Sequence, residues 1–173
     1  ILAQLPTKEH AVKGTCRAWR RGWKETLKKR ERPRLVVFCG QGENNDILSS
    51  LERYDPSTNE WEEEAVAPML TARRDVGTAV LDNKLYAAGG QDAADDDDME
   101  DAPSNLVERY DFETKSWEAV APMATPCESR AVAVLEGKGY AVGGNDDSVY
   151  LSSVERYDPV TNAWEEVAQM ATA

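Results

Sequence analysis

One five-residue phrase occurs three times in this chain: Leu51-Glu52-Arg53-Tyr54-Asp55, Val107-Glu108-Arg109-Tyr110-Asp111 and Val154-Glu155-Arg156-Tyr157-Asp158. A Trp follows each Tyr by seven residues, at Trp61, Trp117 and Trp164, and a Met follows each Trp, at Met69, Met123 and Met170. The steps between the tyrosines are 56 and 47 residues. A period of roughly fifty residues built from short strand-like runs restricts the chain to stacked modules, each burying its apolar face only against a neighbour.

The second repeat shows the unit. Val76-Gly77-Thr78-Ala79-Val80-Leu81 is a β-rich run, and Asp82-Asn83 is turn chemistry for a tight hairpin. Leu85-Tyr86-Ala87-Ala88 is a second run, stopped by Gly89-Gly90. After a polar stretch, Leu106 to Tyr110 reads as a third strand and Trp117 to Val120 as a fourth. Four short antiparallel strands with a Gly pair and an aromatic at fixed places indicate a propeller blade. The Gly pair allows close backbone approach and positive φ. The Trp fills the gap between blades, and its loss is expected to cost roughly 3–5 kcal/mol.

The pattern resembles the kelch repeat from about Leu35 to Ala173, on Gly89-Gly90, Tyr110 and Trp117 and on Gly143-Gly144, Tyr157 and Trp164. In the first repeat Cys39 stands where the first Gly belongs, and the first strand is expected to be missing. In the third, Gly139 replaces the Leu of the second strand and is expected to weaken it. The chain begins at Ile1 without Met and stops at Ala173, where another first strand would begin, so part of a longer protein is expected.

Residues 7–30 change period. Val12, Cys16, Trp19, Trp23 and Leu27 form an amphipathic helical stripe. Ile1-Leu2, Leu5-Pro6, Lys8-Glu9 and Cys16-Arg17-Ala18-Trp19-Arg20 resemble the second half of an F-box. The expected fold is therefore all-β. It comprises about three four-stranded blades of a partial kelch β-propeller (about 35–69, 73–123 and 127–170, within 34–173) behind a short α-helical F-box-like segment at 1–33. The resemblance implies a substrate receptor of an SCF-type cullin-RING ubiquitin ligase, with Leu5, Pro6, Cys16 and Trp19 docking a Skp-type adaptor that joins the cullin. The BTB–kelch arrangement is the rival, since Arg32-Pro33-Arg34-Leu35-Val36-Val37 also suits the end of a BACK domain. An actin-binding scaffold is a further alternative.

The net charge of −12 hides an asymmetry. Residues 1–34 carry eleven Lys or Arg and three Glu, a net +8, and the remainder nine Lys or Arg and twenty-nine Asp or Glu, a net −20. Phosphate contacts need a basic face, so the acidic repeats argue against nucleic acid and for a basic protein or peptide substrate. No run of about twenty apolar residues supplies a helical membrane span. Cys16, Cys39 and Cys127 are odd in number without metal-like spacing, which favours reduced thiols in the cytosol or nucleus.

Strand alternation places the loops between second and third strands at the same end as the inter-blade connections. That end is the expected binding surface. Its candidates are Arg73 and Arg74, whose equivalents one repeat later are Cys127 and Glu128; the acidic run Asp95, Asp96, Asp97 and Asp98, within a stretch of seven acids in ten; and Asn145. Paired guanidinium groups suit an acidic side chain, and the acidic run suits a Lys/Arg-rich partner. Arg53, Arg109 and Arg156 recur beside Glu and read as blade structure. An enzyme is not expected. The copper chemistry of some kelch oxidases needs several His and Tyr ligands, and the single His10 lies outside the repeats. Cys127 has no His in the repeats to activate it, and nothing calls for a cofactor or metal.

Overall fold

The computed structural model describes residues 2–4, 35–41, 47–56, 58–63, 67–92 and 102–173. Strands β1 (Leu2–Gln4), β2 (Leu35–Gln41), β3 (Ile47–Asp55) and β4 (Glu60–Glu63) form one antiparallel sheet in that order. After β5 (Arg73–Arg74) come β6 (Gly77–Leu81) and β7 (Lys84–Ala88), then the short β8 (Gln91–Asp92) and β9 (Ala102–Pro103), then β10 (Val107–Asp111) and β11 (Ser116–Val120). The second blade is β6, β7, β10 and β11, while β5, β8 and β9 make a small sheet beside it. Strands β12 (Ala131–Leu135), β13 (Lys138–Val142), β14 (Val154–Asp158) and β15 (Ala163–Glu166) form the third blade. The described residues are thus all-β, and no helix occurs among them.

The first blade does not lack its first strand. Leu2↔Val37, Ala3↔Val36 and Gln4↔Leu35 pair antiparallel, so β1 takes that place. This overturns the helical reading for Leu2–Gln4. The rest of the expected helical segment, with Leu5, Pro6, Cys16 and Trp19, lies outside the described residues. Gly139, expected to weaken its strand, lies in a continuous ladder: it pairs with Val134 on one side and Tyr157 on the other. A Cβ there would sit 3.5 Å from the Tyr157 Cβ, in ordinary contact.

Local chemistry explains the second and third blades. Asp82 and Asn83 both take positive φ, 49° and 59°, as a type I′ hairpin turn requires. Glu136 and Gly137 repeat it at 51° and 72°. Gly90 has φ 101° and Gly144 φ 103°. A Cβ on Gly90 would lie 2.4 Å from the Arg74 carbonyl oxygen, and one on Gly144 2.7 Å from that of Glu128, so only glycine fits.

The core lies between blades. One cluster joins Val36 of the first blade and Met69 of the connection to Val76, Leu85, Ala87, Tyr110 and Trp117 of the second. The other joins Leu81, Tyr86, Ala88 and Val107 to Ala141 and Tyr157 of the third, through Met123 and Cys127. The tryptophans stitch the seams as well as fill them. The Trp117 indole N–H donates to the Ala67 carbonyl at 2.8 Å, and Trp164 to that of Ala121 at 2.9 Å. The repeated Glu holds the incoming connection. Glu108 accepts from the backbone N–H groups of Leu70 (2.8 Å) and Thr71 (3.1 Å), and Glu155 from those of Ala124 (2.7 Å) and Thr125 (3.3 Å).

Candidate protein-binding site at the loop end

Each seam holds a buried arginine opposite that glutamate. Arg73 has no exposed surface; it donates to the carbonyls of Gly89 (2.8 Å) and Leu106 (2.9 Å) and to Glu108 Oε1 (2.9 Å). Arg130 donates to the Gly143 carbonyl (2.8 Å) and to Glu155 Oε1 (2.9 Å). Arg73 is therefore a seam residue in this structure, not an exposed group at the loop end. Its expected freedom rested on Cys127 and Glu128 standing at the equivalent sequence positions. In space, Arg130 replaces it from three residues further along. Burial pushes the Cys127 thiol up to about 11, keeping it a neutral packing group. Arg109 and Arg156 do serve the blades, each paired to the adjacent strand, Arg109 with Glu118 and Arg156 with Glu165, both at 2.6 Å.

Arg74 stands closer to the expected surface. It is half-buried on β5, paired in register with Gln91, which pairs in turn with Pro103. The third blade repeats this with bridges Glu128↔Asn145 and Asn145↔Tyr150. The inter-blade connections and the second-to-third-strand loops therefore share one end of the described blades. Residues 95–98, the acidic run, lie outside the described residues, between β8 and β9.

At that end a cleft of about 320 Å³ opens among Glu128, Ser129, Asn145, Tyr150, Leu151 and Met170. Its loop is held by its own side chains. Asn145 Oδ1 accepts from Asp147 N–H at 2.9 Å, and Asp146 Oδ1 from Ser148 (3.0 Å) and Val149 (2.9 Å). Those last two bonds hold the Asp146 carboxyl below the usual carboxylate range. Burial raises the Glu128 carboxyl, and the charges of Asp75 and Asp147 add to the rise while Arg74 opposes it. The aromatic contribution is Tyr150, 77% exposed at the rim. The result is a concavity with one carboxylate in its lining, Glu128, two more on the adjoining loop at Asp146 and Asp147, and an exposed aromatic edge, suited to a peptide that brings a cation and an apolar group. Of the residues expected from sequence, Asn145 lines it. Tyr150 and Met170 were not among them, although the apolar Val149-Tyr150-Leu151 in an otherwise polar loop marks the place.

Blades of four antiparallel strands packed through Trp, Glu and Gly-Gly define a β-propeller of the kelch class. The kelch-repeat family described as "KLHDC2/KLHL20/DRC7 Kelch-repeats domain" matches residues 3–173, and the chain belongs to that family. It is 36% identical over 112 residues to Kelch-like protein 33 of Homo sapiens, covering 64% of this chain and 19% of that protein. It is 42% identical over 115 residues to Kelch-like ECH-associated protein 1A of Danio rerio, covering 66% and 18%. The chain thus spans about a fifth of the length of these relatives. Among solved structures, that of YjhT matches with TM-score 0.64 at 17% identity, over 80% of this chain and 49% of that one, a likeness of fold alone.

Proposed function

We propose that this chain is the partner-gripping part of a ubiquitin-ligase adaptor, a non-enzymatic kelch module working in the cytosol or nucleus. Its loop end takes a basic protein segment. The cleft beneath Tyr150 carries this reading, with Glu128 in its lining and Asp146 and Asp147 on the adjoining loop supplying negative charge. The name of the Danio rerio relative describes a protein associated with another protein, which supports a protein partner here.

Of the two adaptor types, the BTB–kelch arrangement fits better than the F-box. Leu2–Gln4, expected to lie in a helical segment, sits in the first blade's sheet. In the BTB–kelch case the full-length protein copurifies with a cullin directly. Copurification through a Skp-type adaptor, lost in Trp19→Ala, would restore the F-box reading. Association with neither, together with cosedimentation with actin filaments, would replace both by a scaffold.

The end of the blades that binds can be tested independently of adaptor type. A photo-crosslinking residue at Tyr150 should capture the partner, and one at Val160, an 88% exposed apolar residue in the turn between the third and fourth strands, should not. Equal capture at both would refute the site. Exchanging Asp95, Asp96, Asp97 and Asp98 for Asn should weaken binding and flatten its salt dependence; unchanged affinity would remove the acidic run from the site.

A further inference from the structure

Both seams are filled from one ladder position, and they fill it in opposite ways. In the first blade Val36 stands between Ala3 and Arg53, and in the second Tyr86 stands between Ala79 and Arg109. Each turns its side chain toward the blade that follows, Val36 into the first seam and Tyr86 into the second. Both are buried there.

The facing residue also comes from one position. Leu85 lies between Val80 and Tyr110, and Gly139 between Val134 and Tyr157. Leu85 is fully buried in the cluster that holds Val36. Gly139 lines the second seam with Tyr86, Tyr157 and Trp164, where a space of only about 10 Å³ remains. A small side chain thus meets a leucine in the first seam, and a large ring meets no side chain in the second. The backbone does not demand this glycine. Gly139 lacks a positive φ, and the nearest atom to an added Cβ would be 3.5 Å away. Its missing side chain instead answers Tyr86, whose ring sits 5.6 Å from that of Tyr157.

The repeats share their Glu-Arg-Tyr-Asp phrase, and packing blades in the wrong order is the hazard of such a chain. The two pairings oppose it. A second blade stacked on another second blade would set Leu85 against Tyr86 and overfill the seam. A third blade stacked on a first would set Gly139 against Val36 and leave a hole. We propose that Val36 with Leu85, and Tyr86 with Gly139, form a size code that fixes which blade packs on which, within one chain and against a second copy.

A double-mutant cycle on the 173-residue chain tests the pairing. Gly139→Leu should lower the melting temperature of the wild type, by crowding Tyr86, and raise that of Tyr86→Val, by filling the opened seam. The contacts of Tyr86 with Arg109 and Tyr157 are lost in Tyr86→Val with or without the second change, so they cancel in the cycle. Should one of these variants fail to fold, the milder Gly139→Ala should raise melting more in Tyr86→Leu than in the wild type. The ordering is read by refolding at high concentration. The Tyr86→Val, Gly139→Leu double variant has the same pair in both seams. A larger share of it than of the wild type should therefore leave a sizing column as swapped species of at least twice the 19.2 kDa of one copy. Equal shares, or a change at Gly139 that shifts melting alike whatever stands at Tyr86, would overturn the proposal.

Discussion

The two seams do the same job with arginines from different places in the repeat. Between the first and second blades, Arg73 reaches Glu108 from β5, four residues before β6. Between the second and third, Arg130 reaches Glu155 from the residue before β12, and Cys127 fills the position that Arg73 would occupy. The surroundings, however, are shared: a carbonyl of the Gly pair, the buried carboxylate, and the incoming backbone. The fold therefore fixes where a positive charge must lie, not which register position supplies it. A buried carboxylate imposes this, because leaving it unpaired costs far more than re-routing a long, flexible arginine.

The largest expected effect breaks the two seams alike. Arg73→Ala and Arg130→Ala each strand a buried glutamate and should each lose about 3–5 kcal/mol in denaturant unfolding. A loss from only one would show that the seams differ in more than the route of the arginine. The equivalence is sharpened by moving the third blade's solution into the second. Val76 occupies the position of Arg130, so Arg73→Ala with Val76→Arg should be more stable than Arg73→Ala alone. No recovery would mean that register matters after all. Gly90→Ala comes next, at about 1–3 kcal/mol, because it adds a Cβ at φ 101° against the Arg74 carbonyl. Thermal unfolding should place Gly144→Ala beside it.

Smaller still, Trp117→Phe keeps a ring in the first seam but loses the bond to Ala67, about 1 kcal/mol. The exposed Trp61→Phe should leave the melting temperature unchanged. The smallest effect is acid dependence. Lys84 and the Glu113 N–H lower the Asp111 carboxyl, as Lys138 and the Val160 N–H lower that of Asp158. A lowered folded pKa gives stability present above the ordinary carboxylate value and lost as pH falls through the folded one, so below about pH 4. Asp111→Asn and Asp158→Asn should each flatten the melting temperature against pH there, by similar amounts. Unequal slopes would set the second and third blades apart.

The strands of those blades were legible because alternation, Asp-Asn turn chemistry and the Gly pair are local signals that the fold obeys. The first strand of the first blade was not. Leu2–Gln4 is three residues long and finds its partner only beyond a stretch of helical period. The role of Arg73 was hidden for a related reason: Glu108 lies 35 residues away, and pairs of that range leave no periodic trace. At the site, Asn145 could be placed by counting from Gly143-Gly144. Tyr150 is marked only by the apolar Val149-Tyr150-Leu151 run in a polar loop, and Met170 not at all, because a repeated Met reads as core until it is found exposed.

The small sheet of β5, β8 and β9 has a consequence for how such a chain can change over generations. The second repeat is longer than the third chiefly in the span from Gly90 to Val107, against that from Gly144 to Val154. The Arg74, Gln91 and Pro103 pairing closes the base of that span before the extra residues begin. Length added at the tip then does not propagate into the blade. A lineage can lengthen, shorten or exchange the tip while the pairing beneath keeps its register, much as a socket accepts different fittings.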